Sequence, residues 1–163
     1  ALAVVEGAAR RFQSSKDIEV RRAWLREHGV TARFSSARHP KLTRPMLVPD
    51  VHLHRDSAWN LPWAGPFTAE YHGFLGVPAD GRYGLALESD DGAELAIDTA
   101  IVLADPAPHS IHRVEADVAL TRGSHRLAVR YVNVNGGGYL ALLWKPPGLP
   151  WNVIPSAALR PVE

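Results

Sequence analysis

"FTAEYHGFLGVPADGRYGLALESDDGAELAID", residues 67–98, alternates apolar and polar side chains in two successive runs. Phe67, Ala69 and Tyr71 share one side of the first run, and Tyr83, Leu85 and Leu87 share one side of the second. Neighbouring side chains on a strand point to opposite faces, so this period of two marks strands that each lay one face on a core. The alternation continues with Val114, Ala116, Val118 and Leu120, then Leu127, Val129 and Tyr131, then Leu140, Leu142 and Trp144. Turn residues separate the runs: "PADG" at 78–81, "DDG" at 90–92, "TRG" at 121–123 and "NGGG" at 135–138. Strands do not alternate with helices, so the expected fold is all-β, an antiparallel sandwich or barrel.

Upstream the character changes. "SSKDIEVRRAWLREHG" (14–29) has serines at its start, Asp17 and Glu19 early, arginines late and Gly29 where a helix should stop. This pattern predicts a helix over 16–28, with Ile18, Val20, Trp24 and Leu25 as its apolar contacts. The expected organisation is therefore an N-terminal helical extension or linker at 1–28 and a β-domain at 29–163. Two proline-rich stretches interrupt the β pattern. Residues 38–66 read as a long surface excursion with one strand around 50–54, and residues 145–155 as an extended closing segment. A start at Ala1 without methionine suggests a domain excised from a longer protein. "ALAVV" is too short to span a bilayer and lacks the layout of a signal peptide.

The composition narrows the classes. A chain of 163 residues with 46% apolar and 21% charged residues is long enough and apolar enough for one globular core. Its 18 basic and 17 acidic residues leave a formal charge of +1, which offers no electrostatic footprint for nucleic acid. With no cysteine, disulfides, thiol catalysis and cysteine-ligated zinc are excluded.

The adjacent acids Asp90 and Asp91 admit two readings. Asp-Gly between alternating runs is a common hairpin signal, with Asp90 merely supporting the turn. Alternatively the backbone bends so that both carboxylates face one hard cation. Calcium takes about six to eight oxygen ligands, so such a site draws carboxylates and carbonyls from more than one loop. "VNVNGGG" offers Asn133 and Asn135 as neutral oxygen donors and three glycines that allow close backbone approach.

Phe67, Tyr71, Gly73, Pro78, Gly81, Tyr83, "SDDG" at 89–92, Leu95, Ile97 and Asp98 resemble, in register, the core of the protective-antigen (PA-fourteen) domain family. "LTRGSHRLAVRY" and "GGGYLALLWKPPG" resemble its later strands, and "GVTARF" at 29–34 its opening one, so the likeness spans residues 29–159. The resemblance implies a β-sandwich used as a non-catalytic module of adhesins, glycosidases and toxins. In the sugar-binding adhesins of that family two adjacent aspartates are joined by a cis peptide and grip calcium. An asparagine and carbonyls of a second loop assist, and sugar hydroxyls bind the exposed side of the ion. Carried over, Asp90, Asp91, Asn133 and Asn135 are the expected calcium ligands. Asp90, Asp91, Asn135, Gly136 and Gly137 are the expected contacts of a glycan or cell-surface polysaccharide. The chain departs from the family pattern at Thr99, at Glu70 and in "LADPAPHS" (103–110), so sugar specificity does not transfer.

Other candidates are weaker. His52 with His54 lacks an evident third zinc ligand, and His109 and His112 read as surface histidines. Trp59, Trp63 and Trp151 offer faces for sugar rings, but tryptophans in proline-rich loops more often wedge the loop onto the core. Ser110 with His112, or Ser124 with His125, lacks a nucleophile elbow and a third member. The overall expectation is a non-enzymatic, calcium-dependent carbohydrate-binding or adhesive module outside the cytoplasm. The alternative is a structural domain appended to a larger, membrane-bound carbohydrate-active enzyme.

Overall fold

The computed structural model describes residues 15–54, 57–59, 65–134 and 136–162, and these form one helix and a two-sheet β-sandwich. The first sheet is seven-stranded. Its order is β2 (Leu42–Met46), β1 (Val30–Ser35), β5 (Phe67–Val77), β10 (Gly123–Asn133), β7 (Ala93–Ile97) and β8 (Ala100–Asp105), and β13 (Leu159–Pro161) also pairs with β5. The second sheet is six-stranded, ordered β4 (Ser57–Trp59), β3 (Asp50–His54), β11 (Gly138–Lys145), β6 (Gly81–Asp90) and β9 (His112–Leu120), with β12 (Asn152–Val153) on β11. Every pairing is antiparallel.

The alternating apolar residues meet between the sheets. Tyr71, Leu75, Leu127, Val129 and Tyr131 from one sheet and Tyr83, Leu85, Leu87, Leu140 and Leu142 from the other are buried. Each fully buried side chain of this size contributes roughly 1.5–3 kcal/mol through the apolar surface it removes from water. The buried phenols are satisfied by backbone carbonyls. Tyr71 Oη donates to Asp50 at 3.2 Å and Tyr83 Oη to Ala79 at 2.9 Å. The central strand β6 is covered on both faces, because Trp151 lies over Gly84, where a Cβ would meet the indole at 2.8 Å. Arg113 stacks on the Trp151 ring, 4.5 Å from its centre, and pairs with Glu88 at 3.0 Å. Trp151 thus wedges its loop onto the sheet.

Three expectations need correction. The stretch 38–66 is not an excursion with a single strand but holds β2, β3 and β4. β2 escaped detection because it is an edge strand that buries only Met46, so it shows no alternation, and an edge also tolerates Pro45. The four turn motifs join strands of different sheets: β5 to β6, β6 to β7, β9 to β10 and β10 to β11 all pass from one sheet to the other. This removes the hairpin reading of Asp91-Gly92, since β6 pairs with β9 and β11 while β7 pairs with β10 and β8.

The third concerns the helix, α1 (Ser15–Glu27), which forms where the capping pattern places it. It ends at Gly29, whose φ is 95° and where a Cβ would lie 2.2 Å from the Met46 carbonyl oxygen. Its apolar residues do not all pack, however. Leu25 is half-buried, whereas Ile18, Val20 and Trp24 are exposed. Trp24 instead stacks on His28 at 3.8 Å and donates from Nε1 to Ser156 Oγ at 3.2 Å.

Candidate ion and glycan site

The site lies at the end of the sandwich where β6 gives way to β7 and β10 to β11. The peptide joining Asp90 to Asp91 is cis. Asp91 is 7% exposed, and its carboxylate accepts two backbone N–H groups: Val134 on Oδ2 at 2.7 Å and His109 on Oδ1 at 3.3 Å. It therefore ties the 105–110 loop to the β10–β11 loop. Gly92 lets the first of these approach, since a Cβ there would lie 2.4 Å from the Pro106 carbonyl oxygen. Asp90 is more open, and its carboxyl pKa is raised by burial and by the charge of Asp91, with His109 opposing. A carboxyl held up by a neighbouring negative charge, as Asp90 is, is one that a cation relieves.

Asn133 supplies a second oxygen group. It is 1% exposed, and its Nδ2 donates to the Gly65 carbonyl at 3.0 Å, which turns Oδ1 the other way. Oδ1 is buried and has no hydrogen-bond partner. An amide oxygen stranded away from water costs roughly 1–3 kcal/mol, so an acceptor of this kind calls for an electrophile. Tyr131 connects the two halves by donating to the Asp90 carbonyl, and its hydroxyl and Asn133 Oδ1 both crowd Gly138, where a Cβ would meet them at 2.5 and 3.1 Å. Burial and the two aspartates raise the Tyr131 pKa, keeping it a donor.

Among the described residues no group of three or more His, Asp or Glu side chains is placed to hold a metal. A cation here must rely on a mixed set of two carboxylates, one amide oxygen and backbone carbonyls. That all-oxygen set is the chemistry of calcium and not of zinc. Asn135 lies outside the described residues. Gly136 has a φ of 72° and open space where a Cβ would stand, and Gly137 is half-buried.

The sequence reading missed Gly65, Tyr131 and the 105–110 loop. His109 is not a surface histidine: its side chain is 19% exposed against 61% for His112. Its Nδ1 faces the Ser110 carbonyl at 2.7 Å and its Nε2 the Asp105 carboxylate at 3.2 Å. Burial lowers its pKa, but these acceptors outweigh it and the net shift is upward. No local pattern in "LADPAPHS" announces the bond from the His109 N–H to Asp91, because that partner lies 18 residues away in sequence.

The remaining candidates separate. The side chains of His52, His54 and Trp59, and all of Trp63, lie outside the described residues. His112 Nδ1 binds Asp105 at 2.6 Å rather than Ser110. His125 binds Asp98 through Nδ1 at 2.8 Å and the Thr121 carbonyl through Nε2 at 2.8 Å, which removes it from Ser124. The Asp98 hydrogen bond, then the Thr121 carbonyl, raise the His125 pKa above its ordinary 6.5 despite burial. His125 in turn lowers that of Asp98 below 3.8, against some desolvation and with help from the Arg126 N–H. A raised imidazolium stabilises the fold fully below the unfolded pKa and stops doing so as pH rises through the folded one. A depressed carboxyl loses its contribution only as pH falls through its own folded value. The difference in melting temperature between the wild type and His125→Gln should therefore be largest at about pH 4–6 and shrink as pH climbs past 7. A difference that grows with pH in a melting series would contradict this assignment.

The sequence model of the PA14 domain family matches residues 46–156. No curated protein matches the chain. Among solved structures, an anti-sigma factor domain-containing protein from Clostridium clariflavum superposes with a TM-score of 0.73 at 22% identity, over 84% of this chain and 49% of that one. The PA14 domain of an antifreeze protein gives 0.63 at 14% identity, over 83% and 92%. The Epithelial Adhesin 6 A domain from Candida glabrata, in complex with Galβ1-3GlcNAc, gives 0.63 at 11% identity, over 84% and 88%. The chain spans about half the length of the anti-sigma factor domain-containing structures. At these identities the likeness is one of fold.

Proposed function

Because the chain belongs to the PA14 domain family, we propose that it is a non-catalytic glycan-binding or adhesive module that holds its ligand through calcium. The observation that carries this reading is the buried Asn133 Oδ1 without a donor, at the end of β10 next to Val134, whose N–H binds Asp91. Asp90, Asp91 and Asn133 would hold the ion, assisted by Asn135 and carbonyls of the 134–137 segment. Calcium supplies positive charge to which sugar hydroxyls bind, and no covalent bond is made or broken. Asp91 positions the two loops, Tyr131 fixes the Asp90 carbonyl, and the space beside Gly136, open among the described residues, leaves room for a sugar ring, with Gly137 and Asn135 as proposed contacts. Calcium sites of extracellular modules work at about 10⁻⁴–10⁻³ M, which fits a location outside the cytoplasm.

Calorimetric titration with calcium should give saturable binding, and chelator should lower the melting temperature. A flat titration with an unchanged melt would reject the ion site. A glycan array should show ligands that vanish on chelation; signals indifferent to calcium would reject the second step.

A second reading concerns the parent protein and is favoured by the exposed apolar residues of α1. In it, residues 1–28 are a tether, and the sandwich is an accessory or interaction domain of a larger carbohydrate-active protein, membrane-bound or secreted. Among the described residues no helix is long and apolar enough to cross a membrane. The flanking gene sequence distinguishes the two: a catalytic domain or membrane helices favour the accessory role, and a wall anchor the adhesin.

A further inference from the structure

Arg44 points the wrong way for a surface charge. In the β1–β2 ladder it stands opposite Ala32, which is fully buried, so its side chain leaves the strand on the core side. Its guanidinium carbon lies 5.2 Å from the centre of the Phe34 ring, and its Nε is buried without a hydrogen-bond partner. Desolvation lowers its pKa, with Tyr71 opposing. Among the described residues no carboxylate forms an ion pair with it.

A cavity of ≈ 230 Å³ opens beside this group, where α1 meets β2 and the turn into β3. Arg21 and Leu25 of α1, Arg44 and Met46 of β2, and Val48 and Asp50 form its walls. Two arginines against one aspartate leave it positive, and none of Asp90, Asp91 or Asn133 takes part. An inward charge on an edge strand discourages pairing with foreign strands. That role needs only a head group that reaches water, and does not account for a buried donor without an acceptor. A buried donor without an acceptor is costly, and a guanidinium presents a planar fork of donors matched to carboxylate and phosphate.

We propose that this cavity binds a small oxyanion, a carboxylate or phosphate, held between Arg44 and Arg21 with Leu25, Met46 and Val48 shielding it from water. The site is independent of the calcium reading, so it is tested with chelator present. Calorimetry on the whole chain would use inorganic phosphate, glucuronate and, as an uncharged control, glucose. Saturable binding of phosphate, glucuronate or both, without glucose binding, is the expected result, and the responding probe identifies the group. Arg44→Gln should weaken it about tenfold or more, the scale of one charge-assisted hydrogen bond. Arg21→Gln, on an exposed helix where folding is not at stake, should weaken it severalfold. The proposal is overturned if neither oxyanion binds, if glucose binds equally, or if Arg21→Gln leaves the affinity unchanged.

Discussion

Asp91→Ala is expected to abolish calcium binding and also to destabilise the chelated protein, whereas Asp90→Asn should abolish calcium binding alone. The asymmetry follows from what each carboxylate touches. Asp91 is buried and is the acceptor for the Val134 and His109 N–H groups. Removing it strands both donors, at a cost of roughly 2–4 kcal/mol in total. Asp90 is more exposed, and its side chain is repelled by its neighbour, so neutralising it costs the apo fold little. Denaturant melts of both variants in chelator, beside calcium calorimetry, check the two halves separately. Equal stability losses would mean that Asp91 does not tie the loops together.

Gly92→Ala should have the next largest effect. The new methyl would stand 2.4 Å from the Pro106 carbonyl oxygen and 2.7 Å from its carbonyl carbon, so backbone must move. Overpacking of this kind costs about 1–3 kcal/mol, and here it pushes away the loop that delivers the His109 N–H to Asp91. Stability and calcium affinity should therefore fall together. Gly136→Ala is the comparison: it has open space and only a φ of 72° to accommodate, so its cost should be near 1 kcal/mol. If urea melts give Gly92→Ala no larger a loss than Gly136→Ala, the 105–110 loop does not pack against the acid pair.

Strand identity was legible wherever a strand buries one face, as in β5, β10 and β11, because the period of two is imposed by that face alone. It failed for β2, an edge strand where only Met46 is buried and where Pro45 argues against a strand in sequence. The helix was legible from its start and stop residues, but not its exposure. Helical spacing says which residues share a side and not whether anything lies against them.

The acid pair illustrates the division most sharply. Its composition, and the likeness of its surroundings to a family pattern, could be read from residues 67–98. Whether Asp91-Gly92 closes a hairpin or carries the chain between sheets depends on β6 pairing with β9 and β11 and β7 with β10, strands remote in sequence. Asn133 and Gly65, Asp91 and His109, and Arg44 and Arg21 are likewise remote in sequence. Local sequence reveals strand periodicity because neighbouring side chains on a strand point to opposite faces, only one of which is buried. Which polar groups end up without a partner is settled only when remote segments pack, since desolvation is a property of everything that surrounds an atom.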